Sequence, residues 1–300
     1  MIAVTILGNN SAVPAYNRHP TSQIVTIAQG LYMVDCGEGT QLQMMRYNIR
    51  RSKINHIFIS HLHGDHYFGL VGLITSFGLI GRTQDLTIYA PGNLQAIIDL
   101  HLQAGQVTLP YTLHIIPITQ PGTLLLTTKV KVSCFATNHR ITCYGFTFEE
   151  VKCARKILAQ QCIAHNIPAA YYNALQQGAD YTLKDGTIIP NYMVTTAAPL
   201  PMKYAYCADT KYDESIIPYI HKANLLYHEA TYLHELAAKA TERYHSTTVH
   251  AATIATKAEA AKLLIGHFSS KYEHIEPFEA EAKAVFTHTQ LAIEGTTYLA

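Results

Sequence analysis

The sequence predicts an α/β protein in which helices cover the outer faces of β-sheets, and three observations carry that reading. Apolar strand-like runs alternate with helix-like segments across residues 3–103 and resume at Tyr204. Between Leu113 and Glu149, strand-like runs follow one another with no helix among them, as consecutive antiparallel strands do. One apolar strand ends in His61-Leu62-His63-Gly64-Asp65-His66, and strand ends are where α/β folds build sites.

Taken in order, Ala3–Leu7, Gln23–Ile27 and Leu31–Val34 are strands by their apolar and β-branched content. Asp35-Cys36-Gly37-Glu38-Gly39-Thr40 reads as a turn, and Gln41–Tyr47 as a helix. Ile54–Ser60 is a buried strand feeding the His/Asp cluster, and Tyr67–Gly78 is an apolar helix. Leu86–Tyr89 is a strand, Pro91-Gly92 a turn and Leu94–Gln103 a helix. The antiparallel run comprises Leu113–Ile118, Thr123–Thr128, Val130–Phe135 and Gly145–Glu149.

Residues 150–200 break the pattern. They hold a helix-like segment, Ala154–His165, then Pro168-Ala169-Ala170-Tyr171-Tyr172 and the turn Lys184-Asp185-Gly186. With few periodic apolar faces, they read as an arm inserted into a single domain spanning 1–300. Strands resume at Tyr204–Ala208, Asn224–His228 and Lys262–Gly266, with a helix over Thr248–Lys262.

A hydrophobic content of 48% suffices for a sizeable core. Charged residues make up only 14% and the net charge is +1, which excludes a global basic field. Nucleic-acid affinity must then come from local patches. The densest, Arg46, Arg50, Arg51 and Lys53, reads as a solvated face. Six cysteines (Cys36, Cys134, Cys143, Cys153, Cys162 and Cys207) form no C-x-x-C pair and suggest free thiols in a reducing compartment. Met1–Leu7 lacks the features of a signal peptide, and Tyr67–Gly81 is too short and Gly-rich to span a bilayer. The expectation is a cytoplasmic protein with no membrane partner.

His61, His63, Asp65 and His66 put four donors into six residues, enough to divide between two neighbouring divalent ions. Mixed N/O donors suit zinc. His139, Asp209 and His267 each follow an apolar strand in the same way. Two such ions, about 3.5–4 Å apart, can share a hydroxide and clamp a phosphodiester oxygen. Taken alone, His245 reads as a surface histidine beside the start of the Thr248–Lys262 helix.

In this order the residues resemble the metallo-β-lactamase superfamily, and within it ribonuclease Z, the tRNA 3′-processing endonucleases. The resemblance covers nearly the whole chain. It rests on Asp35-Cys36-Gly37-Glu38-Gly39-Thr40-Gln41, the HxHxDH loop, His228-Glu229-Ala230-Thr231 and His245-Ser246-Thr247. It implies an αββα sandwich with an inserted arm. It implies that His61, His63 and His139 hold one zinc, that Asp65, His66 and His267 hold the other, and that Asp209 bridges them. Mn or Fe in place of Zn stays open. The candidate catalytic residues are Asp65, His245 and Glu229, with His245 as proton donor to the leaving oxygen and Glu229 orienting it. The implied reaction removes 3′ trailers from pre-tRNA, leaving a 3′-hydroxyl on the tRNA and a 5′-phosphate on the trailer. A homodimer is implied too, and the apolar content of Gln41–Tyr47 and Tyr67–Gly78 makes them the candidate interface.

The chain departs from the family pattern where substrate is recognised. The arm is Gly/Pro-rich and basic in bacterial relatives, but here its basic residues are Lys152, Arg155, Lys156 and Lys184. Ala197-Ala198-Pro199-Leu200-Pro201-Met202-Lys203 also carries less positive charge than the pattern. Pro14-Ala15-Tyr16-Asn17-Arg18-His19 stands where the family has PxKxRN, and Lys271 precedes Tyr272 where the family has Arg. A second reading is therefore a metallohydrolase of small phosphodiesters or aryl sulfates. A third is a non-catalytic RNA-binding relative, which the complete ligand set argues against.

Overall fold

The computed structural model describes residues 1–151, 154–198 and 200–300. Six strands build toward the first sheet: β1 (Ile2–Gly8), β2 (Ser22–Ile27), β3 (Gly30–Cys36), β4 (Ile54–Phe58), β5 (Leu86–Pro91) and β6 (Leu113–Ile118). Next come β7 (Gly122–Leu126), β8 (Val130–Ala136) and β9 (Tyr144–Glu150). Four two-residue strands follow: β10 (Lys156–Ile157), β11 (Tyr181–Thr182), β12 (Ile188–Ile189) and β13 (Thr195–Thr196). The chain ends with β14 (Lys203–Cys207), β15 (Leu225–Glu229), β16 (Leu263–Gly266), β17 (Thr289–Leu291) and β18 (Thr297–Leu299).

Two seven-stranded mixed sheets result, in the orders β18-β1-β2-β3-β4-β5-β6 and β17-β16-β15-β14-β9-β8-β7. Apolar alternation sends one face of each sheet inward. Ile2, Val4, Ile6, Phe58 and Tyr89 share a core with Phe146, Phe148, Tyr204, Tyr206 and Tyr227. Helices cover both outer faces. Leu70, Leu73, Ile74 and Phe77 pack on Ile57, Ile59 and Ile88. Ala251, Ala252, Ile254, Ala255 and Phe278 pack on Ala205, Leu226, Leu263 and Ile265. This is the expected αββα sandwich. Strands β3 to β6 run parallel, as do β14 to β17, so several strands end at the same side of each sheet.

The structure departs from the sequence reading at particular elements. Leu113–Ile118 does not join the antiparallel run; it pairs parallel with β5 at the edge of the first sheet. Short apolar strands carry no sign of partner or direction. The helix expected over Tyr67–Gly78 is two helices, Gly64–Tyr67 and Leu70–Leu79. The break at Gly69 is a close approach: its N–H donates to the Cys36 carbonyl at 2.9 Å, and a Cβ there would lie 2.2 Å from the Gly37 carbonyl oxygen. The helix expected to reach Lys262 stops at Lys257, and the chain then takes a left-handed conformation at Glu259. The sequence reading placed nothing beyond Gly266, yet Glu276–Lys283 is a helix and β18 returns to pair antiparallel with β1.

Residues 127–129 and 150–201 form a separate compact unit. It has its own small core of Cys162, Ile167, Leu175, Ile189 and Val194, which the sequence reading did not anticipate. The expected Ala154–His165 helix is shorter, Ala159–Ala164, because Lys156–Ile157 pairs instead with Thr195–Thr196. Lys152, Cys153 and Pro199 lie outside the described residues. The other five cysteines are free and buried. No helix among the described residues is long and apolar enough to cross a membrane.

Candidate metal centre

Every sequence-predicted donor arrives at one place from a loop after a strand. His61, His63, Asp65 and His66 follow β4, with His63 at the start of the Gly64–Tyr67 helix. His139 follows β8, Asp209 follows β14, and His267 follows β16 in a left-handed backbone conformation. Glycine brings the metal loop close: a Cβ on Gly37 would lie 2.4 Å from the Asp65 carbonyl oxygen.

The donors fall into two groups. His61, His63, His139 and Asp209 offer atoms within 4.8 Å of one another, and so do Asp65, His66 and His267. His63 Nδ1 lies 3.0 Å from His61 Nε2 and 3.1 Å from His139 Nε2. His66 Nε2 lies 3.3 Å from His267 Nε2, which is 3.3 Å from Asp65 Oδ2. Asp209 turns Oδ2 toward His61 at 3.6 Å and Oδ1 toward His66 at 3.5 Å and His267 at 3.3 Å. It therefore faces both groups.

These residues fit divalent metal. Two ligand atoms on one tetrahedral zinc at 2.0–2.1 Å must sit about 3.3 Å apart, close to the separations seen. Buried Asp209 Oδ1 has no hydrogen-bond partner, as a carboxylate oxygen awaiting a cation would. Burial and neighbouring imidazoles push His61 well below its ordinary value and His63 down to about 4, so both are neutral, as ligands must be. Burial also disfavours the charged form of His66, but Asp209, Asp65 and Asp35 outweigh it and hold the imidazole up at about 10. Three carboxylates around one ring create a demand for positive charge.

A surrounding layer fixes the rings through their outward nitrogens. Thr231 Oγ1 lies 3.0 Å from His267 Nδ1, and the Tyr244 carbonyl accepts from His139 Nδ1 at 3.0 Å. Asp35 accepts from His66 Nδ1 at 2.8 Å, Ser60 N at 2.7 Å, Ser60 Oγ at 2.9 Å and Tyr206 OH at 2.6 Å. The sequence reading assigns Asp35 to a turn, whereas it lies inside β3, next to its last residue Cys36, and is fully buried. The available signal was a carboxylate at the end of an apolar strand, the same logic that found Asp209. Tyr244 left no such signal, since its contribution is a backbone carbonyl. Asp35→Asn should weaken metal binding by about 10–100-fold in chelator competition, the usual effect of losing such support. Unchanged affinity would remove Asp35 from the site's architecture.

His245 and Glu229 stand beside the donors. His245 Nδ1 is 3.0 Å from Glu229 Oε1 and 3.9 Å from Asp209 Oδ2. Burial disfavours the imidazolium, yet the Glu229 carboxylate and its hydrogen bond hold His245 up at about 9. Its charged state is thereby kept through neutral pH. Four of the donors (His63, Asp65, Asp209 and His267) line a cavity of about 270 Å³ together with His245, Phe68 and Arg140. Arg18, expected in the altered N-terminal loop, is buried and turned inward. It donates to Asn10 Oδ1 at 2.9 Å and to the Glu273 and Tyr272 carbonyls, which leaves Tyr16 as an exposed side chain of that loop.

The chain has known relatives. A family model described as Anti-Pycsar protein Apyc1 matches residues 2–292. Ribonuclease Z of Parabacteroides distasonis is 42% identical over 294 residues, covering 97% of each chain. Ribonuclease BN of Proteus mirabilis is 38% identical over 301 residues, covering 98% of this chain and 99% of the relative. Among solved structures, human tRNase Z, short form, aligns with a TM-score of 0.71 at 23% identity, over 99% of this chain and 98% of the other. The metallo-β-lactamase fold protein YhfI of Bacillus subtilis aligns with a TM-score of 0.69 at 20% identity, over 99% and 98%.

Proposed function

The chain belongs to the ribonuclease Z family and to the family that the Anti-Pycsar protein Apyc1 model describes, and from that premise we propose that it trims pre-tRNA 3′ trailers with two zinc ions. It is an endoribonuclease, a hydrolase of phosphodiester bonds. The observation that carries the reading is the convergence of seven donors in two groups that share Asp209. His61, His63 and His139 would hold one ion, Asp65, His66 and His267 the other, and Asp209 both. When bound there, such ions would supply Lewis-acid activation of water and of the phosphodiester near neutral pH.

The chain's own groups do the rest. Asp65 and Asp209 set the negative charge that fixes the cations in place. His245, protonated and held by Glu229, delivers a proton to the departing 3′ oxygen of the upstream nucleotide. The products are a 3′-hydroxyl on the tRNA and a 5′-phosphate on the trailer. Glu229 touches no reacting atom, so it acts as a positioning residue. Cleavage of a 3′-extended tRNA transcript, run beside a small phosphodiester, tests the assignment. Turnover of the small substrate with none of the transcript would replace it.

The second reading, a hydrolase of smaller diesters, draws on the weak charge of residues 150–200. We assign that segment as an arm that holds tRNA away from the cut. Within it, Lys156–Ile157 pairs with Thr195–Thr196 and Leu158 N donates to the Val194 carbonyl at 2.9 Å, so its two described flanks run side by side. Deleting residues 152–196 should raise KM for pre-tRNA by roughly tenfold or more, the scale of a few lost phosphate contacts. Hydrolysis of a small diester should hardly change, since a remote contact made equally in ground and transition states appears in KM. Equal loss on both substrates would make the segment a support of the fold. No loss on either, in a folded and metal-loaded protein, would favour the smaller substrate.

A homodimer belongs to the same proposal. Leu42, Met45, Leu79 and Ile80 are exposed on the Thr40–Arg46 and Leu70–Leu79 helices and at the end of the latter. Such apolar surface favours a partner copy. Sedimentation as a monomer at micromolar concentration would exclude it.

A further inference from the structure

We propose that Phe68 and Arg140 form a nucleotide clamp at the mouth of the metal cavity, Phe68 stacking a base beside the scissile bond and Arg140 taking a neighbouring phosphate. This rests on the nuclease reading above. Both residues line the same cavity as His63, Asp65, His245 and His267. Phe68 is 64% exposed, although it immediately follows the metal-loop helix Gly64–Tyr67. Its position is set from below: a Cβ on Gly64 would lie 2.2 Å from the ring, so the ring lies over bare backbone. An aromatic ring held this way beside a reaction centre offers a π-face to any base.

Arg140 brings the guanidinium of the cavity lining, a planar fork of donors suited to phosphate. It follows the donor His139, is exposed, and has no side-chain hydrogen bond or ion pair among the described residues. The other lining groups contrast with it. Asp209, His245 and His267 are engaged with one another or with Glu229 and Thr231. The scissile phosphate meets the donor groups deep in the cavity, so a free guanidinium at the rim is placed for the next phosphate along the strand. A planar cation and an exposed ring on one rim match a single-stranded segment, which carries a phosphate and a stackable base at each step. The arm is poor in charge, and this rim supplies a local contact that the overall composition does not reveal.

The test uses the full chain in a slow-cleaving His245→Ala background, so that binding is read apart from turnover. The probes are a 3′-extended tRNA transcript and versions with an abasic nucleotide on either side of the junction. Phe68→Ala should weaken binding by roughly 5- to 100-fold, the range for one lost stack. An abasic substitution at the stacked position should cost the same, and the two together no more than either. Arg140→Gln should reduce the slope of log affinity against log salt by about one, and Arg140→Lys should restore the slope without the full affinity. Additive losses for Phe68→Ala at both abasic positions, an unchanged salt slope for Arg140→Gln, or absence of RNA binding in the background protein would each overturn the clamp. A change of oligomeric state in Phe68→Ala would also overturn it, by showing the ring to be a subunit contact. Failure of the unmutated chain to cut the transcript would sink the nuclease reading alone, and the binding cycle would still decide the clamp.

Discussion

His63→Ala should lose bound metal and activity together, while His245→Ala should keep its metal and lose about 10²–10⁴-fold in kcat, the usual size of a general-acid contribution. The geometry separates the two roles. His63 Nδ1 points between His61 and His139, at 3.0 and 3.1 Å, so its removal opens one group of donors. His245 is the instructive rival, because its ring can also join Asp209 and His267 in a metal-sized cluster. Yet the nitrogen that faces Asp209 is Nδ1, and Nδ1 is engaged 3.0 Å from Glu229 Oε1. Serving as a ligand through Nδ1 would break that bond and take from the buried carboxylate its one charged partner. Metal content by atomic emission, measured beside kcat on each variant, decides the matter. Metal loss in His245→Ala would make it a ligand and leave the proton donor unassigned.

How much of this was legible differs by element. The clustering of the seven candidate donors was, because side chains at the ends of apolar strands can be read in order without knowing the fold. Seven residues spread between His61 and His267 then converge without rearrangement of the expectation. Asp35 was not, for the apolar run that marks its strand breaks at Val34, two residues short of the strand's end at Cys36. Its left-handed backbone conformation resembles a turn locally while its carboxylate is fully buried against Ser60, His66 and Tyr206. Strand pairing was illegible at Leu113–Ile118, where six residues fit either sheet and the partner is chosen by tertiary packing. The broken helix at Gly69 was hidden for a related reason. Glycine there serves a contact with Gly37, more than thirty residues earlier, that no local pattern records. Arg18, which matches the family's loop pattern, has its side chain on internal carbonyls, a placement that the pattern alone does not state.

Glu229→Gln should move the alkaline limb of the kcat profile to lower pH and reduce turnover most above neutrality. Glu229 is buried and its two oxygens are saturated. Oε1 accepts from Thr210 N at 3.1 Å, Ser246 N at 3.0 Å and His245 Nδ1 at 3.0 Å, and Oε2 from Thr231 N at 3.0 Å and Thr231 Oγ1 at 2.8 Å. Burial would raise this carboxyl, but His245 and the bonds around it hold it below its ordinary value. The two groups thus face each other as an ion pair. A proton donor works in its charged form, so activity falls as pH rises through its pKa. With Glu229 present that value is held up at about 9; with glutamine the opposing charge is gone and burial pulls the imidazole lower. Asp209 and Asp65 also favour the cation and remain in both proteins. The stability consequence has its own sign. Because the folded His245 value is raised, its contribution is fully present below 6.5 and lost as pH rises through about 9. The Glu229 contribution is present above 4.5 and lost as pH falls, since its folded value is depressed. Glutamine also turns an N–H₂ toward the N–H groups that the carboxylate satisfied, a loss of about 1–3 kcal/mol for each buried group left unpaired. Metal content and thermal midpoint, read on the same samples, separate that loss from the shift in profile. An alkaline limb that stays in place, in a folded and metal-loaded variant, would mean that Glu229 braces the loops without tuning the proton donor.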